Sequence, residues 1–218
     1  MPHEMRPELS GREPLLLTLK VIEGLTSLRV RRVLRSVLGG LMAAKERFGV
    51  RLVQFSVQSD HVHLVAEARS KEALSRAMKG LAVRLARAIN RVLGRKGAVF
   101  AERYHQRVLT TPRQVRNALA YVLCNGRKHG HAPGRSSWLD PCSSAASFDG
   151  WSQKVPGTAA TTLAEPRTWL LRIGWRRHGG PINPDHRPGT MPGQAELESG
   201  RHPRHHRRDH SAQSRSPS

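Results

Sequence analysis

The chain has 218 residues, a length that suits one domain of ordinary size with an extension. Its 37 lysines and arginines against 16 aspartates and glutamates give a formal charge of +21, which favours nucleic acid as a partner and an anionic membrane surface as the second choice. Because the chain lacks a membrane-spanning apolar run, a signal peptide and enough cysteines for a disulfide framework, we expect a cytoplasmic protein without membrane association.

The first half of the chain shows apolar spacing that alternates between strand and helix periods. Helices place an apolar residue every third or fourth position, whereas half-buried strands place one at every second position. Ser and Asp between two β-rich runs favour a hairpin turn. These patterns predict a strand at 15–21, a helix from Thr26 or Ser27 to about Phe48, and strands at 50–58 and 61–67 joined by Ser59-Asp60.

The second half begins with a long helix that has recognisable ends. Ser70 is a predicted N-cap and Gly94 a predicted stop for this helix. Short strands are predicted at 98–100 and 104–109. The residues Thr111-Pro112-Arg113-Gln114 combine a capping box with proline at the first helical position, and the helix they open should end near Asn125, with Gly126 as its stop.

The order of these elements indicates the fold class. Strand, helix, strand, strand, helix and strand predict an α+β protein with a ferredoxin-like βαββαβ antiparallel sheet and helices packed on it. Beyond residue 131 the apolar signal weakens and Gly, Ser and basic residues increase. We expect a flexible N-terminus at 1–13, a domain at 14–131, a loop-rich extension at 132–188 with a short helix near 169–177, and a disordered basic tail at 189–218.

The triplet His61-Val62-His63 is the first candidate for chemistry. Alternate side chains of a strand point to the same face, so the two histidines should point together while Val62 and Leu64 enter the core. Two neutral imidazoles on one face supply half of a metal site. Taken alone, however, such a triplet is more often a pair of surface histidines.

Tyrosine is scarce in this chain, with only Tyr104 and Tyr121. Tyr121 lies in the predicted last helix, one turn before Asn125 on the same face. A tyrosine can act as a covalent nucleophile, and an amide oxygen can bind a hard divalent cation. The plainer alternatives are that Tyr121 packs on the sheet and that Asn125 is a helix C-cap residue; Tyr104 is the alternative nucleophile.

Three segments occur together in a characteristic order: QSDHVHLVAEA, then GRKGAVFAERYHQRVL after a long helix, then TPRQVRNALAYVLCNGRKHG. Over residues 14–131 they resemble the REP-associated tyrosine transposases, which belong to the HUH single-tyrosine transposases, and WLLRIGWRRHG near 169–179 is similar to a C-terminal feature of one branch. The resemblance implies a DNA transposase or endonuclease that cleaves and rejoins single-stranded or hairpin DNA through a 5′-phosphotyrosine. It implies Tyr121 as the nucleophile, and Mg²⁺ or Mn²⁺ held by His61, His63 and Asn125.

Basic and aromatic residues outside this group are the expected DNA contacts. Several arginines lie off the apolar stripe of the long helix, and Tyr104, flanked by basic residues, either packs or stacks on DNA. The sequence departs from the family pattern in two places, with Leu16 where many relatives have a histidine and Gly126 where proline is common. The candidate DNA-binding residues are Arg84, Arg87, Arg91, Arg103, Tyr104 and His105.

Two acidic residues near the histidines are interpreted as structural. Asp60 is expected to be the hairpin turn residue, and Glu67 to be a surface charge although it shares the face of the histidines. Two other functions remain open: a domesticated or decayed nucleic-acid-binding protein that does not cut, and a metal-dependent hydrolase of another kind, which would usually need a cluster of carboxylates. The sequence is compatible with a monomer or a homodimer.

Overall fold

The structure is a computed structural model that describes residues 9–134, 136–155 and 163–189. Most of the predicted N-terminal segment and nearly all of the predicted basic tail lie outside these residues. None of the helices within the described ranges has the length and apolar content needed to cross a membrane.

The described residues form a five-stranded antiparallel sheet with helices on both faces, which confirms the predicted α+β class. The strand order is β2-β3-β4-β1-β5, and the short edge strand β2 was not predicted. A 3₁₀ turn at Ala145–Ser147, a π-helix at Leu170–Gly174 and the short helix α4 (Trp175–Arg177) follow the core. The core elements are β1 (Leu15–Lys20), α1 (Arg31–Ala44), β2 (Glu46–Arg47), β3 (Val50–Val57), β4 (His61–Ala68), α2 (Lys71–Leu93), β5 (His105–Val108) and α3 (Pro112–Lys128).

Local capping chemistry sets ends of the helices α2 and α3. The Ser70 hydroxyl accepts a backbone N–H from the first turn of α2, and Gly94 ends that helix in the left-handed conformation at φ 62°. The Thr111 hydroxyl accepts the N–H of Gln114, as predicted. The amide oxygen of Gln114 accepts the N–H of Thr110 at 2.8 Å, so the capping box closes one residue earlier than expected.

Helix α1 is shorter than the apolar spacing predicted. It begins at Arg31 because the preceding residues form turns, and it ends at Ala44 because the chain enters β2 directly afterwards. Apolar spacing alone does not distinguish a helical turn from a neighbouring turn that also buries an apolar side chain.

Each face of the sheet has its own apolar core. Helices α1 and α2 pack on one face, where Leu17, Leu64 and Leu85 are buried together. Helix α3 packs on the opposite face, and the extension covers the outer side of α3 with Trp175 and Ile182. Strand β4 is buried over its whole length because both of its faces are covered. The sheet therefore has a face next to α1 and α2 and a second face, next to α3, on which we find the candidate site.

Helix α3 continues through Gly126 to Lys128, so the prediction that Gly126 stops it is wrong. The glycine makes room for a buried carboxylate instead. A Cβ atom at this position would lie 2.4 Å from Oδ2 of Asp140, a distance that no real Cβ contact tolerates. Tertiary packing against Asp140 thus explains the absence of a side chain at position 126.

We expect Gly126→Ala to lower the free energy of unfolding by about 1–3 kcal/mol, because the added methyl group overpacks the contact with Asp140. Urea unfolding measures the change. Gly39→Ala is the matched control, since a Cβ at Gly39 in α1 meets no atom within 4 Å and the higher helix propensity of alanine should stabilise the protein slightly. Equal stabilities of the two variants would contradict this explanation of Gly126.

Candidate active site

The two histidines of β4 lie side by side beneath α3. Their ring centroids are 4.5 Å apart, and the side chains of Val62 and Leu64 belong to the core on the opposite face. The prediction that His61 and His63 share a face is therefore confirmed. The interpretation of the pair as surface histidines is wrong, because they are only 5% and 1% exposed.

His63 is held between a strand and a helix. Its Nδ1 lies 2.9 Å from the hydroxyl oxygen of Thr18 on the neighbouring strand β1. Its Nε2 lies 3.2 Å from the hydroxyl oxygen of Tyr121 on α3. Burial, together with nearby basic groups that include His129 and Lys128, lowers the pKa of His63 well below its ordinary value. The ring is therefore neutral and available as an acceptor or a ligand.

His61 is oriented by its neighbour in the chain. Its Nδ1 hydrogen-bonds to Oδ1 of Asp60 at 2.7 Å, and this contact lowers the pKa of the Asp60 carboxyl. The opposite nitrogen, Nε2, is buried and has no hydrogen-bond partner among the described residues. Asp60 is thus the predicted turn residue. Its hydrogen bond to Nδ1 also orients the His61 ring so that the lone pair of Nε2 points into the site.

Helix α3 places three side chains over the histidines on successive turns. The Tyr121 ring lies 5.0 Å from the ring of His63, and the His129 ring lies 5.7 Å from the ring of His61. Asn125 stands between them on the same helical face. Tyr121 and Asn125 are fully buried, and both amide atoms of Asn125 lack a hydrogen-bond partner among the described residues.

The unpartnered atoms fit a divalent cation. A buried polar atom without a hydrogen bond costs about 1–3 kcal/mol, so Nε2 of His61 and the amide oxygen of Asn125 are expected to serve a ligand. In the described ranges no three His, Cys, Asp or Glu side chains are grouped to hold an ion; the amide oxygen of Asn125 is the candidate third donor beside the two histidines. Imidazole nitrogens with an amide oxygen form a neutral donor set, which leaves the charge of a cation available to phosphate.

The neighbouring cysteine does not compete as a nucleophile. Burial raises the pKa of the Cys124 thiol to about 12, so the reactive thiolate is not formed near neutral pH. Its prediction as a small buried residue of the helix is confirmed. Tyr121 therefore remains the candidate nucleophile of α3, and its side chain faces the histidines.

Four residues near the site were missed by the sequence analysis. Thr18 and Lys20 of β1 are paired in register with His63 and His61, and only the strand pairing shows this. Lys128 places its Nζ 5.2 Å from the centre of the Tyr121 ring. Lys128 and His129 lie two turns after Tyr121. They were not recognised because the helix was wrongly predicted to stop at Gly126.

The three candidate DNA-binding residues of the RYH segment have different environments. Arg103 is exposed, whereas the Tyr104 ring is part of the core next to α1 and α2. His105 is half-buried, lies on the site face opposite Thr18, and contacts Glu102 at 2.7 Å. Strand pairing puts His105 on the face of the histidine pair, and Arg103 lies two residues earlier in the bend that leads into β5.

The three arginines of the long helix lie on the other side of the sheet. Arg84, Arg87 and Arg91 are exposed on α2 and line a cleft that also includes Gly39 and Gly80. No ion pair holds these arginines within the described residues. The sheet separates them from the histidine pair, so one short DNA segment cannot contact both.

Two positions on the site face depart from expectation. Leu16 is buried in the core under α3, so the position at which relatives have a histidine contributes packing here. Glu67 was expected at the surface, but it is buried and accepts the backbone N–H groups of Arg167 and Thr168 at 2.9 and 2.7 Å. The carboxylate thus anchors the start of the extension's helical segment to β4.

Comparisons with known proteins find similarity to transposases. The model of a family described as IS200-like transposases matches residues 21–123. A REP-associated tyrosine transposase, solved bound to a REP hairpin, is similar at 15% identity with a TM-score of 0.54, over 77% of this chain and all of that one. A putative transposase from Deinococcus radiodurans R1 is 18% identical, with a TM-score of 0.39, over 50% of this chain and 85% of that one. No curated protein sequence matches.

The matched range includes the candidate nucleophile and both histidines. It begins at the end of β1 and extends into α3, past Tyr121, but stops short of Asn125. At 15% identity, the REP-associated transposase shows that the two chains share a fold. The family match over residues 21–123 and the shared fold both support the resemblance in the motifs, which is to the IS200-like transposases.

Proposed function

We propose that the protein is a metal-dependent, single-tyrosine DNA strand transferase of the HUH type that acts on single-stranded or hairpin DNA in the cytoplasm. The contact between the Tyr121 hydroxyl and Nε2 of His63 carries this proposal. It places the candidate nucleophile against a neutral ligand nitrogen, next to unpartnered donor atoms of His61 and Asn125.

In the proposed reaction Tyr121 exchanges one phosphodiester bond for another. The phenolic oxygen loses its proton and bonds to phosphorus, while the bond from phosphorus to the 3′ oxygen breaks and that oxygen gains a proton. The products are a 5′-phosphotyrosine and a free 3′-hydroxyl. Attack by another 3′-hydroxyl reverses these steps, so rejoining requires no external energy source. A Mg²⁺ or Mn²⁺ ion held by His61, His63 and Asn125 would supply Lewis acidity toward the phosphate oxygens.

The lone pair on Nε2 of His63 can accept a hydrogen bond or bind a metal ion, but it cannot do both at once. In the described arrangement the partner is the Tyr121 hydroxyl, so ligation by the same nitrogen requires the hydroxyl to leave it. Thr18 holds the ring from the other side through Nδ1, which keeps His63 in place when Tyr121 moves. The group that leaves is the proposed nucleophile, so ligand binding at His63 and release of the nucleophile are coupled.

Basic residues around the site support a DNA substrate. Lys20, Lys128 and His129 lie beside the histidine pair, and the charges of the two lysines offset the repulsion between a phosphate and an attacking phenolate. We propose that Arg103 and His105 contact DNA on this side and that Arg84, Arg87 and Arg91 hold a separate stretch of its backbone. The hairpin bound to the REP-associated transposase of similar fold supports a hairpin end as the substrate.

The proposal is tested by incubating the full chain with a labelled hairpin oligonucleotide that has single-stranded flanks. With Mg²⁺ or Mn²⁺ we expect an adduct that survives denaturation, is absent with EDTA, and is located at Tyr121 by peptide mass analysis. DNA binding that weakens steeply with salt but yields no adduct with either metal would refute the catalytic proposal. That result would favour a DNA-binding protein that has lost its activity.

A further inference from the structure

Trp169 is exposed but fixed in position. Its side chain is 51% exposed, yet one face of the ring lies against Gly174, where a Cβ would be only 2.6 Å from the ring. The five-residue π-helix Leu170–Gly174 begins directly after it. Helices of this kind are rare and occur frequently at functional sites. The free face of this ring is available for a flat partner to stack on it.

The position of Trp169 is linked to the candidate active site through β4. The buried carboxylate of Glu67 accepts the backbone N–H groups of Arg167 and Thr168, immediately before the tryptophan. Glu67 and His63 belong to the same strand and point to the same face of the sheet. The hydrogen bonds to Glu67 therefore fix the position of the Trp169 ring relative to the histidine pair.

The surroundings of Trp169 are polar and rich in arginine. A cleft of about 520 Å³ lies beside the ring and is lined by Arg12, Arg167, Thr110 and Glu13. The Arg167 side chain is 76% exposed and reaches the Glu46 carboxylate only at 3.6 Å. Glu13, the acidic group of the cleft, accepts a hydrogen bond from Ser10. Exposed guanidinium groups beside an exposed indole suit a nucleotide, which presents phosphate and a flat base together.

A row of polar side chains connects the histidine pair with this cleft. His105 and Arg107 of the edge strand β5 pair with Thr18 and Leu16, so both point to the site face. Side chains two apart on a strand are separated by roughly 7 Å. The row continues to Thr110, which lines the cleft of Trp169. A few nucleotides of extended single strand can follow this row from the site to the tryptophan.

We propose that Trp169 is a stacking site for one unpaired base of the single-stranded DNA that flanks the scissile phosphate, with Arg12 and Arg167 contacting the adjacent phosphates. This inference rests on the proposed function, because it takes single-stranded DNA as the substrate. An apolar protein partner fits less well, since the ring is bordered by cationic side chains in a chain of charge +21.

Photo-crosslinking tests the site without altering the protein. Hairpin oligonucleotides carry 5-iodouracil at successive positions of the single-stranded flank, one per oligonucleotide. Irradiation of the wild-type complex should crosslink Trp169 from one flank position, as identified by peptide mass analysis. Crosslinks that never reach Trp169, although the flank is bound, would overturn the proposal even if every variant of this residue proved unstable.

Substitutions supply the second measurement. Trp169→Ala should weaken binding of the flanked hairpin roughly 5- to 150-fold, the range for losing one stacked base, and Trp169→Phe should retain most of the affinity. Phe48→Ala is the matched control, because Phe48 is 49% exposed beside Arg47 but lines a cleft with Met78 on the α2 side. Equal losses at Trp169 and Phe48 in correctly folded variants would also overturn the proposal.

The two proposals can fail separately. If the Tyr121 adduct forms but Trp169 neither crosslinks nor affects affinity, the stacking site is wrong and the catalytic proposal stands. If Trp169 crosslinks but no adduct forms with either metal, the catalytic proposal is wrong and the binding site stands.

Discussion

Tyr121→Phe should remove the covalent protein–DNA adduct while leaving a folded protein that still binds DNA. The phenylalanine ring keeps the packing against His63, whose ring lies 5.0 Å away, and only the hydroxyl is lost. The hydrogen bond to His63 contributes about 1 kcal/mol to stability, whereas loss of a covalent nucleophile lowers the rate on the order of 10⁴-fold or more. Denaturing gels measure the adduct, and salt-dependent filter binding measures DNA affinity.

Tyr104→Phe is the matched control for this prediction. It removes the same hydroxyl from the only other tyrosine of the chain, which belongs to the core on the far side of the sheet. The adduct should form at close to the wild-type rate. An adduct that persists in Tyr121→Phe and disappears in Tyr104→Phe would reverse the assignment of the nucleophile.

Arg29→Ala should cause the largest loss of stability among the substitutions considered, about 3–5 kcal/mol. Arg29 forms two hydrogen bonds of 2.8 Å with the carboxylate of Asp140 and a third with the carbonyl oxygen of Val57. The Asp140 side chain is only 1% exposed, so removal of its partner leaves an uncompensated buried charge. Chemical denaturation followed by circular dichroism measures the loss.

An exposed ion pair with a single contact supplies the control for this prediction. Arg176 contacts Asp149 at 2.7 Å, but their side chains are 37% and 84% exposed. Water screens such a pair, so Arg176→Ala should cost less than about 1 kcal/mol. A similar, small loss for both variants would mean that Asp140 is solvated or protonated when Arg29 is absent.

Strand pairing and helix capping in the first part of the fold were predictable from short segments. The Ser59-Asp60 turn joins β3 and β4 as expected, and Ser70 and Gly94 bound α2. These features depend on residues close together in the chain. The same holds for the orientation of His61 and His63, because strand alternation alone puts them on one face.

Features that depend on distant residues were not predictable. Gly126 is a typical helix stop in isolation, yet the helix continues through it to Lys128, and Asp140 occupies the space that a side chain at this position would need. Glu67 has the composition of a surface residue until the N–H groups of Arg167 and Thr168 approach it. A local sequence pattern cannot predict which group from a distant part of the chain will pack against it.

The residues of the candidate site were likewise only partly predictable from the sequence. Tyr121 and Asn125 follow from helical spacing, and the resemblance to a transposase family assigned them roles. Only the register of β1 with β4 shows that Thr18 and Lys20 lie next to the two histidines. Short motifs can therefore propose candidate reactive groups, whereas the residues that surround them can be identified only from the arrangement of the sheet.

The core beneath α3 also affects how the protein is made. It joins Leu16, near the start of the described chain, to Trp175 and Ile182, near its end. During synthesis at about 5–20 residues per second, on the order of ten seconds separates the first of these residues from the last. Until the last ones emerge from the ribosome, the apolar outer side of α3 has no cover. The helix that carries Tyr121 is thus packed on its outer side only after the extension has been translated.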